Sequence, residues 1–147
     1  MIAFACDHGG FSLKAEILEH LKNRDIPFKD YGCFSEESVD YPDFAAEVVK
    51  VITSGEAERG ILICGTGIGM SMAANKFKGI RAAVCGDVFS AKYTKMHNNA
   101  NILCLGARVT GPGLALEILD AYLDAEFEGG KHLRRIEKIA GFEKEFS

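Results

Sequence analysis

The stretch Leu62–Ser71 reads LICGTGIGMS: a cysteine, Cys64, closes an apolar run, and Gly65, Gly67 and Gly69 alternate directly behind it. A glycine loop at the start of a helix exposes backbone N–H groups to a ligand, and the helix dipole favours negative charge there. A thiol beside such donors can do more than hold an anion. Helix N-termini and nearby cations favour the thiolate. A thiolate there can take a proton from a carbon next to a carbonyl, while the amides hold the enediolate that forms. The loop is no nucleotide P-loop, because no Gly-Lys-Ser/Thr follows, and Met70 breaks the G-x-G-x-x-G spacing. Asp87, about 20 residues on, stands where a ribose-binding acid would sit. A non-catalytic nucleotide-binding module is therefore the alternative from a different class.

Two further clusters carry titratable groups. Asp7-His8-Gly9-Gly10 follows the first apolar run and reads equally as a helix-capping aspartate with a surface histidine. CDH offers no second ligand pair at metal-binding spacing, so no metal is expected. His97 lies in KMHNNANILCLG, where Asn98, Asn99 and Asn101 serve as helix-ending residues and His97 as an acid–base candidate. Arg108 follows the last apolar run, and Lys131, Arg135 and Lys138 recur at i, i+4, i+7. That pattern marks a solvated helix face, or a phosphate clamp if the tail folds over the glycine rim.

The elements that must position these groups alternate from end to end. Strand-like runs are Ile2–Cys6, Pro27–Tyr31, Gly60–Cys64, Ile80–Cys85 and Asn101–Leu105. Helical spacing joins Leu13, Ile17, Leu18 and Leu21, then Phe44, Val48, Val51 and Ile52, with Asp40 as a helix start before Tyr41-Pro42. Shorter helices fit Gly69–Phe77 and Asp87–Met96, and a longer one fits Gly113–Ala125. This implies a single α/β domain over residues 1–147: a Rossmann-like three-layer sandwich with a five-stranded parallel sheet and a C-terminal helical tail. Ligands in such sheets bind beyond the strand carboxyl ends, so Asp7-His8, Cys64 with its glycines, and Gly86-Asp87 should share one rim. The apolar stripe of Gly113–Ala125 is too broad for one sheet face, which predicts a subunit interface ahead of the other explanation, a deeply covered core helix.

Composition narrows the partners. The 147 residues carry a net charge of −4, against nucleic-acid binding, and no apolar run approaches the ~20 residues of a membrane helix. Met1-Ile2-Ala3-Phe4 enters apolar structure at once, so no signal sequence and a cytoplasmic location are expected. Five cysteines, mostly in apolar runs, read as free thiols of a reducing compartment.

Together, CDHGGFSLK, DYPDFA, GILICGTGIGMSMAANKFKGIRAAV, HNNANILCLGARV and FEGGKHLRRIEKI closely resemble the type B ribose-5-phosphate isomerases, a family that includes allose-6-phosphate and galactose-6-phosphate isomerases. The resemblance implies a homodimer or a pair of dimers with active sites at the subunit interface. It implies cofactor-free, metal-free interconversion of ribose 5-phosphate and ribulose 5-phosphate in the pentose phosphate pathway, with allose 6-phosphate or galactose 6-phosphate as alternative substrates. By resemblance Cys64 is the general base, Thr66 and His97 assist ring opening, and Asp7 lies beside the ring oxygens. Gly65, Gly67 and Gly69 cradle the enediolate, Asn98 binds a sugar oxygen and Tyr41 walls the pocket. His8, Arg108 and Arg135 match the phosphate side. Lys131 stands where the family commonly has arginine, and so brings a point charge without the bidentate fork.

Overall fold

Strands β1 (Ile2–Cys6), β2 (Phe28–Asp30), β3 (Arg59–Cys64), β4 (Ala82–Val84) and β5 (Ile102–Gly106) form one parallel sheet in the order β2-β1-β3-β5-β4 in a computed structural model that describes residues 1–146. Helices α1 (Phe11–Asn23), α2 (Tyr41–Thr53), α3 (Ile68–Ala74), α4 (Val88–Asn98), α5 (Pro112–Asp124) and α6 (Lys131–Glu145) complete the chain. The expected strand–helix alternation and single parallel sheet are present. β2 and β4 are shorter than the apolar runs that announce them, because each lies at a sheet edge and is only partly covered.

Alternation of side chains along the strands builds two cores. Phe4, Ile61, Ile63, Leu103 and Leu105 pack with Leu13 and Ile17 of α1, Ala91 of α4, and Ile118 and Leu119 of α5. Ala3, Ala5, Leu62, Cys64 and Cys104 face the other way, onto Val48 and Val49 of α2 and Met70 and Ala74 of α3. Cys64 thus inherits the α2/α3 face from Leu62, two residues before it.

The breadth of the α5 stripe has an internal cause. One side of α5 faces β5, and α4 and α1 of the same chain cover the rest, leaving Tyr122 fully buried with its hydroxyl donating to the Ala100 carbonyl at 2.6 Å. A core helix covered within its own chain, the second reading of that stripe, accounts for its buried residues, while Leu114 stays exposed. Exposed apolar residues are spread over several elements, among them Phe34, Met72, Val109 and Leu114, and include a group along β4, α4 and α6: Val84, Val88, Phe89, Leu133, Ile139 and Phe142, with Phe89 71% exposed. No helix is long and apolar enough to cross a membrane among the described residues.

Candidate active site

β1 and β3 are neighbours, and the chain leaves them toward opposite sides of the sheet. Such a switch point opens a crevice at the carboxyl ends of the two strands. Asp7 and Cys64 end up there side by side: the Asp7 N–H donates to the Ile63 carbonyl at 3.1 Å.

Cys64 keeps 6% of its surface exposed. The Gly67 N–H points at its Sγ from 3.1 Å. Gly67 has φ +80°, a left-handed conformation natural to glycine, and this turns the loop back over the sulfur. The amide of Gly67 is therefore committed to the thiol, and the Ile68 N–H goes to Thr66 Oγ1 at 3.2 Å. α3 is also only seven residues long, so loop amides rather than a long helix dipole supply the electrophilic edge.

The remaining thiols are structural. Burial pushes the Cys6 thiol up to about 12 and the Cys85 thiol up to about 11, and raises that of Cys104 further. The buried Cys33 donates from Sγ to the Ser35 carbonyl at 3.2 Å.

Around the sulfur, Asp7 is buried and accepts the Gly10 N–H on Oδ1 at 3.0 Å, just before α1 begins. The capping role and the site role thus coincide in one carboxylate. His8 accepts the Val39 N–H on Nδ1 at 3.1 Å, which leaves the proton on Nε2 and ties the segment 31–40 to the rim. Tyr41 starts α2 with its ring over Gly69; a Cβ at Gly69 would lie 2.7 Å from that ring. Arg108 donates its backbone N–H to the Gly65 carbonyl at 3.0 Å and lays its guanidinium along Gly65. Beside it a cavity of about 340 Å³ is lined by Ser12, Arg108, Thr110 and Gly111.

The structure does not bring His97, Asn98, Lys131 or Arg135 to this rim. α4 runs back from the carboxyl end of β4, so His97 and Asn98 sit at the opposite end of the sheet. Asn101, just past them, accepts the Gly60 N–H where β3 begins, whereas Cys64 pairs with Gly106 where β5 ends. Four residue steps of strand separate those levels, about 13 Å. α6 packs against α4 and holds the Gly79 N–H with the Glu143 carboxylate at 3.1 Å, so the tail does not cover its own glycine rim. Asp87 follows the carboxyl end of β4, as expected, and caps α4: it accepts the Ser90 N–H at 2.7 Å and the Ser90 hydroxyl at 2.8 Å. β4 also stands two strands away from β3, which removes the ribose-binding role for Asp87.

The HNNAN segment is heavily braced. Asn99 closes α4 at φ 45°, and Lys95 Nζ donates to its Oδ1 at 2.8 Å. Arg81 Nε donates to the carbonyls of Asn98 and Asn99 at 3.1 and 3.0 Å. His97 stacks on His132 with ring centroids 4.0 Å apart and planes 8° from parallel. Glu128 lies 3.5 Å from Nε2 of each. The ligand atoms of His97, Glu128 and His132 fall within 4.8 Å of one another, a grouping that spacing alone did not reveal. Arg81 and Glu128 were not singled out by sequence reasoning. The only hint for Glu128 is its i, i+4 spacing to His132.

A doubly wound parallel sheet with a thiol, a buried carboxylate and a guanidinium at its switch point defines a site for proton transfer beside an anion. Residues 2–139 match the ribose/galactose isomerase family, and the chain belongs to that family. Ribose-5-phosphate isomerase B of Escherichia coli (strain K12) is 50% identical over 143 residues, covering 97% of this chain and 96% of that protein. D-erythrulose-4-phosphate isomerase of Pectobacterium atrosepticum is 46% identical over 143 residues, covering 97% and 94%. The solved structure of Clostridium thermocellum ribose-5-phosphate isomerase B superposes with a TM-score of 0.98 at 53% identity, covering 99% of both chains.

Proposed function

We propose that the chain interconverts ribose 5-phosphate and ribulose 5-phosphate through an enediolate, with Cys64 as the base that moves a proton between C1 and C2. The observation that carries this reading is the Gly67 N–H on the Cys64 sulfur at the switch point, with Asp7 and Arg108 on either side. That contact fixes the sulfur where the loop meets the crevice. Cys64 removes the C2 hydrogen of the open aldose, charge develops on O1, and the amides of Gly65 and Gly69 face it. A proton passes between O1 and O2, and the thiol returns its hydrogen to C1. Thr66 and Asp7 serve the sugar oxygens. Tyr41 closes one wall.

The phosphate takes the Nε2–H of His8, the guanidinium of Arg108 and the cavity beside it. His97, Asn98, Lys131 and Arg135 complete the site from a second copy of the chain. Their distance from Cys64 within one protomer, and the exposed apolar residues of α4, β4 and α6 around them, support a symmetric dimer. No step calls on a cofactor.

A second reading of the substrate follows from the Pectobacterium relative, whose activity is on a four-carbon sugar phosphate. The same base and clamp suit chains of different length, six-carbon allose 6-phosphate included. Side-by-side turnover of four-, five- and six-carbon phosphates ranks them. The experiment on the reaction itself is Cys64→Ala with ribulose 5-phosphate in deuterated water. Wash-in of deuterium at C1 should stop while the sugar phosphate still binds; unchanged wash-in would remove the thiol base.

A further inference from the structure

Glu128 belongs to FEGGKH, and the chemistry so far gives it no task. Its placement is nevertheless built. Gly129 and Gly130 have φ +69° and +56°, turning the chain sharply between Glu128 and α6. The Glu128 N–H donates to the Met96 carbonyl at 3.0 Å, pinning this residue against the end of α4. From there Oε1 faces His97 Nε2 and Oε2 faces His132 Nε2, each at 3.5 Å. Tyr93 meets the His97 ring edge-on with centroids 5.0 Å apart, so the ring is bounded by Tyr93, His132 and Glu128.

We propose that Glu128 is a positioning residue: its carboxylate holds His97 in the Nε2–H tautomer, so that Nδ1 is the atom that exchanges a proton with the sugar. This rests on the reading of His97 as the ring-opening group. Opening a furanose removes the C1 hydroxyl proton, breaks the bond from C1 to the ring oxygen and delivers a proton to that oxygen. Nδ1 handles one of these transfers and is restored by the other, while the Nε2 proton stays on Glu128's side. The 3.5 Å separation is an ion-pair contact that sets which ring nitrogen faces the carboxylate. The groups that face the stacked pair are Glu128 from the linker and Tyr93 from α4, with Lys131 and Arg135 of α6 acting on His132. Glu128 is the only carboxylate among them, and His132 opposes a second proton on the stacked pair.

Ribulose 5-phosphate provides the test, because its C5 oxygen is esterified and it forms no furanose. Its C1 exchange reads Cys64 alone, whereas turnover of ribose 5-phosphate also needs ring opening. Glu128→Gln should lower kcat on ribose 5-phosphate by about tenfold or more and leave deuterium exchange of ribulose 5-phosphate nearly unchanged. Glu128→Asp should recover part of the loss, and Glu128→Gln should add nothing in a His97→Ala background. In ¹⁵N spectra of the imidazoles, wild-type His97 should be the Nε2–H tautomer, and Glu128→Gln should mix the two. Equal loss of both reactions, an additive loss on His97→Ala, or an unchanged His97 tautomer would overturn the proposal. Failure of the Cys64 reading is seen separately, as exchange that persists in Cys64→Ala.

Discussion

Cys64 and His97 stand at opposite ends of one sheet: Cys64 closes β3 opposite Gly106, and His97 precedes the residue that pairs where β3 opens. About 13 Å of strand lies between those levels, beyond the reach of any direct proton transfer. The two residues can serve one sugar only if they come from two chains.

Arg108 offers a test of the phosphate side. Its fork lies along Gly65, and Lys would keep the charge but lose bidentate geometry. Arg108→Lys should raise KM for ribose 5-phosphate about tenfold, the scale of one charge-assisted hydrogen bond, and change kcat less. Turnover of unphosphorylated ribose should not respond. Steady-state kinetics on the two sugars make the comparison.

Gly69 lies beneath Tyr41 with no room for a methyl group. Gly69→Ala should displace the ring or the loop, costing about 1–3 kcal/mol by overpacking. Thermal unfolding should move down by several degrees. Activity should fall further than stability accounts for if the same amide faces the enediolate, as the proposed mechanism has it. An unchanged Tm with full activity would mean that Tyr41 swings away freely.

Asp87 should matter for folding only. Its carboxylate is held low, first by the Ser90 N–H and then by the Ser90 hydroxyl. A depressed carboxylate stabilises the fold above its unfolded pKa and loses that contribution as pH falls through its folded value. Asp87→Ala should lower Tm modestly near neutral pH, lose its effect in acid, and leave kcat/KM intact. A loss of nucleotide binding in this variant would revive the nucleotide-module alternative.

His132 titrates with the same sign but in a higher pH window. Burial, followed by the neighbouring His97, holds it below the ordinary histidine value. In acid the unfolded chain therefore binds a proton that the folded chain resists, and stability declines as pH drops below about 6.5. His132→Asn should flatten the dependence of Tm on pH between about 5 and 7. Calorimetry across that range measures it.

Much of this was legible in the sequence, for physical reasons that differ by residue. Ile2–Cys6 and Leu62–Cys64 are apolar on both sides because helices cover both faces of a central strand, so β1 and β3 stand out. The edge strands β2 and β4 lack that signature, and their ends blur. The Cys64 loop declares itself through glycine spacing, because Gly67 takes a left-handed turn and Gly69 leaves no space for a side chain beneath Tyr41. Asp87 shows the opposite case: an acid at nucleotide-like spacing proves to be a helix cap, because spacing along the chain does not say which strand stands beside which. The division between Cys64 and His97 was hidden for the same reason, as it depends on the return direction of α4. Glu128 disappears into a charged tail until Gly129 and Gly130 fold it back onto His97.

Mixing two damaged variants tests the composite site most directly. Cys64→Ala and His97→Ala, each with most of its turnover of ribose 5-phosphate lost, are unfolded together in equal amounts and refolded. Random pairing makes half of the dimers mixed, and each mixed dimer holds one intact site and one doubly damaged one, so about a quarter of wild-type activity should return. Activity no higher than that of the two variants refolded apart would contradict a site in which Cys64 of one chain works with His97 of another.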